Sequence, residues 1–151
     1  MAFCEKVGAE PQIVVPIGYH NYAGYMPDKD GRQDWLQRAL DWMEYCNGDA
    51  ETTKWGKKRA ENGHPEPYNV KYWEIDNEVW KMDPKLYAEI TRLFSIEMKK
   101  QDPSIKIIGC GCGRLGREGI GLDSIMIHDV AGYIDYISPH YYQMLDRYGN
   151  C

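Results

Sequence analysis

The sequence lacks the features that would place the protein in a membrane or on a nucleic acid. No apolar run approaches the ~20 residues that a membrane-spanning helix needs, and the opening stretch MAFCEKVGAE has no basic region followed by an apolar core, as a secretory signal would. Acidic residues outnumber basic ones by 23 to 18, whereas proteins that bind nucleic acid usually present a basic face. We therefore expect neither a membrane nor a nucleic-acid partner.

Cysteine and histidine spacing gives no sign of a disulfide framework or a metal centre. The five cysteines are odd in number and include no C-x-x-C pair, which favours a reducing compartment and hence a cytoplasmic location. The four histidines stand singly, with no H-x-x-x-H pair, so the pattern argues against a metal site. Cys110 and Cys112 are interpreted as buried small apolar residues.

Phenylalanine is scarce as well, with 2 residues against 12 tyrosines and 5 tryptophans. Amphipathic rings of this kind can fill a core and its rim, or they can line a cleft in which flat rings stack on sugar faces. Composition leaves both interpretations open. The length of 151 residues is enough for one domain.

Apolar periodicity alternates between strand-like and helix-like segments. Short apolar runs predict strands at 12–18, 70–78, 105–111 and 135–142, and the first is expected to be buried on both faces. Helical spacing predicts helices that end at Gly8, run over 33–46, lie between Asp83-Pro84 and Asp102-Pro103, and run over 123–130. The polar stretch 49–69 is predicted to be a long ordered loop with a functional reason, braced by His64.

Helix and strand alternation of this kind predicts the α/β class, with a parallel sheet covered by helices. A doubly wound sheet and a TIM (β/α)8 barrel both fit. The glycines of GCGCGRLG form no complete G-x-G-x-x-G phosphate loop. Polar and aromatic residues follow three of the strands, where barrel enzymes build their active sites; these residues are Tyr19, His20, Asn21, Asn77, Glu78, His140, Tyr141 and Tyr142.

The barrel is therefore favoured. A complete barrel needs eight strands and typically ~250 residues. Four strands are predicted here, so we expect residues 1–151 to be a partial barrel domain, about half of the whole.

Asn77-Glu78 is the sharpest feature of the sequence. A carboxyl group at the carboxyl end of a barrel strand can protonate a leaving oxygen while a neighbouring amide holds the substrate. Glycoside hydrolysis needs two such carboxyl groups, one of which donates the proton. The alternative is that Glu78 caps the next loop or pairs with a basic side chain.

The segments AFCEKVGAEPQIVV, WMEYCNG and WGKKRAENGHPEPYNVKYWEIDNE resemble the catalytic barrel of glycoside hydrolase family 51, the α-L-arabinofuranosidases. The resemblance runs from about Ala2 to Tyr142. It implies that the four strands are the third to sixth of eight. It also implies a retaining enzyme that needs no cofactor and removes terminal α-L-arabinofuranosyl residues from hemicellulose-derived arabinosides.

Site residues follow from the same resemblance. Glu78 matches the acid/base, Asn77 an amide that binds a sugar hydroxyl, and His140 and Tyr142 the H-x-Y pair that lines the sugar site. The nucleophile of the family is a glutamate on the seventh strand, beyond Cys151, so this chain alone would lack it.

The sequence departs from the family pattern at two places. Asp76 stands where the family usually has glycine, and it would either raise the pKa of Glu78 by like-charge repulsion or pair with a base. The residues 16–20 replace a usual Asn-Gly pattern, which puts the sugar preference in doubt. Glu74 has the same strand parity as Glu78 and is expected to be a paired structural carboxylate.

Other functions stay open at this point. One is a related retaining barrel glycosidase, such as an endo-β-glucanase or a xylosidase, and another is a non-catalytic fragment or carbohydrate-binding pseudoenzyme. All of them have a carbohydrate partner. The sequence leaves the oligomeric state open, and a homo-oligomeric full-length parent is one of the alternatives.

Overall fold

The computed structural model describes residues 1–19, 29–112 and 117–140, with only the backbone described for residues 2, 29, 30 and 117–120. Helices and strands alternate as the apolar periodicity predicted. In chain order the elements are α1 (Ala2–Val7), β1 (Gln12–Val15), α2 (Lys29–Asn47), α3 (Lys54–Glu61), β2 (Tyr72–Ile75), α4 (Pro84–Gln101), β3 (Lys106–Cys110), α5 (Arg117–Asp129) and β4 (Tyr136–Ser138). Each strand is shorter than the apolar run that predicted it.

The strands form one parallel sheet in the order β1-β2-β3-β4. The predicted α/β class with a parallel sheet is therefore confirmed. Successive strands are neighbours throughout, without the reversal that a doubly wound sheet makes at its switch point. This succession is the one expected for the wall of a barrel.

The sheet has an apolar face that packs against the helices. Trp73 is fully buried, and its ring meets the ring of Trp42 of α2 edge to face, with centroids 6.5 Å apart. Ile13 and Val15 of β1 are buried on this face, while Gln12 and Val14 are exposed. The expectation that β1 is buried on both faces is therefore wrong, because among the described residues the helices cover only one face of this strand.

Helix boundaries follow local capping chemistry. The carboxylate of Asp83 accepts a hydrogen bond from the Leu86 amide at 2.9 Å, and Pro84 occupies the first turn of α4. Gly8 ends α1 in the left-handed conformation at φ 66°. The last helix was predicted over 123–130 but begins at Arg117, six residues earlier by these bounds. None of the described helices is long and apolar enough to span a bilayer.

The predicted loop at 49–69 contains α3, so that prediction is wrong for Lys54–Glu61. The Thr53 hydroxyl caps this helix by accepting from the Gly56 amide at 3.1 Å. Because the buried side of α3 consists of Gly56 and Arg59, apolar periodicity could not indicate the helix. His64 braces the segment as predicted, through Glu66 O at 2.6 Å and Glu5 Oε1 at 3.0 Å.

Arg59 holds this part of the fold together from inside. Its side chain is fully buried, and its guanidinium donates to backbone carbonyl oxygens on two sides. One group lies at the end of α2 and the other after α3; the carbonyls are those of Tyr45 at 3.0 Å, Cys46 at 3.5 Å, Gly48 at 2.7 Å, His64 at 3.1 Å and Pro65 at 2.8 Å. A cation at the carboxyl end of α2 also complements the helix dipole. Arg59 thus ties the end of α2 to the segment that leads into β2.

Arg59→Met should lower the free energy of unfolding by about 3–5 kcal/mol, because methionine fills similar space but leaves the buried carbonyls without donors. Chemical denaturation followed by circular dichroism measures the loss. The control is Lys58→Met on the same helix, where an exposed pair with Glu61 at 3.0 Å is worth less than ~0.5 kcal/mol. Equal effects of the two substitutions would contradict the role given to Arg59.

Candidate active site at the ends of the strands

β2 leaves the sheet through a backbone turn that few side chains tolerate. Asp76 and Glu78 have φ angles of 58° and 55°, in the left-handed region that costs non-glycine residues roughly 1–2 kcal/mol. The ladder of β2 reaches Asp76, whose amide donates to Val15 O at 2.9 Å. Conformations of this kind concentrate at functional sites, and this turn presents Glu78 at the carboxyl end of the strand.

Asp76 uses its carboxylate to join the ends of β1 and β2. Its Oδ2 accepts from the Ile17 amide at 3.1 Å, and its Oδ1 accepts from the Asn77 amide at 2.7 Å. Burial raises the pKa of the Asp76 carboxyl above its usual range, and the two amide hydrogen bonds oppose part of that rise. The partners observed for Asp76 are thus backbone amides, and not the basic side chain that was one of the two alternatives from the sequence.

Glu78 and His140 meet at this edge of the sheet, as their positions at strand ends predicted. His140 Nδ1 lies 3.2 Å from Glu78 Oε1, with 21% and 26% of the two side chains exposed. The ring of Trp80 stands edge-on to the imidazole, with centroids 6.1 Å apart. Glu78 is therefore half-buried, oriented by an imidazole and still open to a ligand.

Glu74 lies deeper on the same face and is 3% exposed. Its Oε2 accepts from the Gln12 amide group at 2.5 Å. Its Oε1 has no hydrogen-bond partner, and His140 Nε2 is 4.0 Å away. Glu74 was predicted to be a paired carboxylate, and only one of its two oxygens has a hydrogen-bond partner.

Tyr87 and Cys110 complete the support beneath Glu78. The buried Tyr87 hydroxyl donates to Ile75 O at 2.5 Å and accepts from the Cys110 amide at 2.8 Å, so it joins the ends of β2 and β3. Cys110 Sγ in turn accepts from the Glu78 amide at 3.2 Å. Burial raises the pKa of the Cys110 thiol to about 11, so at neutral pH it is a protonated thiol.

Sequence reasoning missed the role of Tyr87, which lies within the helix predicted between Asp83-Pro84 and Asp102-Pro103 and was not singled out there. The available signal was a hydroxyl within an otherwise apolar stripe, since a buried tyrosine hydroxyl usually finds a partner. Cys110 and Cys112 are buried as predicted.

The structure places three of the four predicted site residues. Asn77, Glu78 and His140 all follow the ends of β2 and β4, and Asn77 is exposed beside Glu78. Tyr142 lies outside the described residues, as do His20 and Tyr141.

The chemistry available here is proton transfer to and from a bound ligand. A half-buried carboxyl group beside an imidazole can donate a proton to a leaving oxygen and later accept one. In the described part of the chain, Glu74, Cys110 and His140 also bring a carboxylate oxygen, a sulfur and a ring nitrogen within 4.8 Å of one another. This combination of donors can hold a metal ion.

The family model described as the alpha-L-arabinofuranosidase 1 domain matches residues 1–150 of the chain. A probable alpha-L-arabinofuranosidase C of Aspergillus fumigatus is 36% identical over 117 residues, which are 74% of this chain and 20% of the relative. An intracellular exo-alpha-(1->5)-L-arabinofuranosidase of Acetivibrio thermocellus is 30% identical over 155 residues, covering 98% of this chain and 27% of the relative.

Among solved structures, the alpha-L-arabinofuranosidase of Thermotoga maritima in complex with arabinose is similar to the chain. The TM-score is 0.77 at 33% sequence identity, covering 98% of this chain and 28% of that one. The chain thus spans between a fifth and three tenths of the length of these relatives.

Substitutions of Asp76 should separate the two features of the turn. Asp76→Ala and Asp76→Gly both lose two hydrogen bonds, at about 1 kcal/mol each, but only alanine keeps the strained φ. Asp76→Ala should therefore be less stable than Asp76→Gly by roughly 0.5–1 kcal/mol, after allowing for the entropy of glycine in the unfolded chain. Asp76→Asn keeps one acceptor and should be the mildest. Thermal and urea unfolding give the order, and an alanine variant as stable as the glycine variant would contradict it.

Proposed function

The chain belongs to the alpha-L-arabinofuranosidase 1 domain family, and on that premise we propose that it is part of the catalytic barrel of a retaining α-L-arabinofuranosidase. The substrate is a hemicellulose-derived arabinoside from which terminal α-L-arabinofuranosyl residues are removed. Relatives that are named α-L-arabinofuranosidases, one of them exo-acting on α-(1->5) linkages, support this substrate class. The reaction needs two carboxyl groups and no cofactor.

The four strands correspond, in this proposal, to the third to sixth of a (β/α)8 barrel. Their parallel order, with each strand beside its predecessor, supports this. The apolar face of the sheet packs on the helices, and the other face, with Glu74, would then line the interior of the barrel. Residues 1–151 are a partial domain in this view.

The contact between Glu78 and His140 carries the proposal. It joins the ends of β2 and β4 at 3.2 Å, at the carboxyl edge where barrel enzymes place their chemistry. Glu78 is the acid/base, and His140 orients its carboxyl group. Asn77 and Tyr142 bind the sugar; for Tyr142 the support is the H-x-Y resemblance alone.

Glu78 acts twice in this mechanism. It first protonates the leaving oxygen, while a second carboxylate attacks the anomeric carbon and forms a glycosyl-enzyme. It then removes a proton from the water that hydrolyses this intermediate. The second carboxylate is the family's seventh-strand glutamate, which we place beyond Cys151.

Free thiols at Cys4, Cys46, Cys110 and Cys112 support a reducing, cytoplasmic location.

Glu78→Ala in the full-length protein should abolish most turnover of arabino-oligosaccharides, whose poor leaving groups need a proton. It should slow the first step far less for aryl arabinofuranosides with good leaving groups. Azide should restore turnover of the aryl substrate and yield a glycosyl azide of retained configuration, because an anion needs no general base.

The control is Glu10→Ala, an exposed carboxylate that pairs with Lys71 at 3.1 Å before β1, and it should leave both rates unchanged. Absence of leaving-group dependence and of azide rescue in Glu78→Ala would exclude the acid/base role. Arabinoside binding without any turnover by the wild-type protein would instead favour a carbohydrate-binding pseudoenzyme.

Tyr142→Phe should lower kcat/KM by ~10-fold or more, the scale of a lost hydrogen bond to a charged group. Steady-state kinetics on an aryl arabinofuranoside provide the measurement. Tyr133→Phe is the matched control, because Tyr133 is an exposed ring before β4, at the other end of that strand. If both variants keep the wild-type kcat/KM, Tyr142 is not part of the site.

A further inference from the structure

Three side chains of the types that can bind metal ions converge below Glu78, from β2, from β3 and from the residues just after β4. Glu74 lies on β2, Cys110 ends β3, and His140 follows β4 by two residues. The sheet register pairs Cys110 with Ser138, so His140 is two residues further along on the same face. The donor atoms all lie within 4.8 Å of one another, although the residues are 36 and 30 positions apart in sequence.

Glu74 supplies an independent sign that something binds here. The residue is 3% exposed, and its Oε1 is buried without a hydrogen-bond partner. A buried acceptor in that state costs about 1–3 kcal/mol. Gln12 holds the other oxygen at 2.5 Å, which leaves Oε1 directed at the space between Cys110 and His140.

We propose that Glu74, Cys110 and His140 form a binding site for a thiophilic divalent cation of the zinc class. A carboxylate oxygen, a thiolate sulfur and an imidazole nitrogen are all ligands that zinc prefers, whereas Mg²⁺ and Ca²⁺ select oxygen alone. Zinc holds such atoms at about 2.0–2.3 Å, so the three donor atoms would approach one another to roughly 3.5 Å when the metal binds. The Cys110 proton leaves to solvent when the metal–sulfur bond forms.

His140 links this site to Glu78. If its Nε2, 4.0 Å from Glu74 Oε1, binds the metal, then Nδ1 carries the proton and points at Glu78 Oε1, 3.2 Å away. Metal-bound histidines commonly donate their other N–H to a carboxylate in this way. With the metal bound, Glu78 would be held as the acceptor of the His140 Nδ1 proton. It could then no longer protonate the leaving oxygen, so zinc would inhibit the enzyme. This last consequence rests on the proposed function, whereas the binding site does not.

Metal binding is tested with Zn²⁺ and Co²⁺ alone on the full-length protein. Calorimetry with ZnCl₂ should give one tight site per chain, and CoCl₂ should give a thiolate-to-cobalt charge-transfer band. Cys110→Ala should abolish the band, and Glu74→Gln should weaken zinc binding by at least ~10-fold. Cys112→Ala removes a buried thiol two residues away that is outside the cluster, and it should keep both signals. Unchanged zinc binding in Cys110→Ala would overturn the site.

A measurement on the wild-type protein keeps the test independent of how the variants fold. Crystals grown with ZnCl₂ should show an anomalous peak between Cys110 Sγ, Glu74 Oε1 and His140 Nε2. Absence of a peak there at saturating zinc would contradict the proposal.

Inhibition separates this proposal from the proposed function. Zinc should suppress wild-type arabinofuranosidase activity by at least ~10-fold, and Cys110→Ala should resist it when each protein is compared with its own metal-free rate. Zinc binding without inhibition would overturn the inhibitory role and leave the site. A protein with no arabinofuranosidase activity that still binds zinc through Cys110 would refute the proposed function alone.

Discussion

The alternation of side chains along four parallel strands in register is the constraint on which the rest of this structure depends. Successive residues of a strand face opposite sides of the sheet, and the register aligns Val14, Glu74, Ile108 and Tyr136 across all four strands. Trp73 and its neighbours in the same row face the helices and are buried there. A shift of one residue in β2 would move Glu74 into the apolar core and Trp73 or Ile75 into the site.

At the carboxyl edge of the sheet the backbone hydrogen bonds between strands end, and side-chain hydrogen bonds join the strands instead. The Tyr87 hydroxyl bridges β2 and β3 where their chains separate, and the Asp76 carboxylate bridges β1 and β2. Backbone groups that would otherwise be buried without partners are thereby satisfied. The strained turn at Asp76 and Glu78 persists because hydrogen bonds with Ile17, Tyr87 and Cys110 hold the backbone and side chains on both sides of it. Arg59 likewise donates to buried backbone carbonyl oxygens in the segment before β2.

The site gathers polar groups that do not fully satisfy one another. Glu74 has one bonded and one unbonded oxygen, and His140 lies between Glu74 and Glu78 with a ring nitrogen toward each. Because an imidazole has one proton to place when neutral, its partner on one side decides what it can offer on the other. A ligand that binds Glu74 therefore affects Glu78 through His140, and a ligand that binds Glu78 affects Glu74 in the same way.

Local features of the sequence determined much of this protein. The alternation of elements, the capping of α4 by Asp83, the Gly8 stop and the position of Asn77-Glu78 at a strand end all follow from properties of one segment at a time. Helix α3 was not predicted because its buried side consists of Gly56 and Arg59, which give no apolar periodicity. The Glu74–Cys110–His140 cluster was not predicted because its residues belong to different parts of the chain and show none of the short spacings typical of metal ligands. Hydrophobic periodicity reports how one segment is buried, whereas contacts such as Gln12 with Glu74, 62 residues apart, depend on strand register, which only the packing of the whole sheet decides.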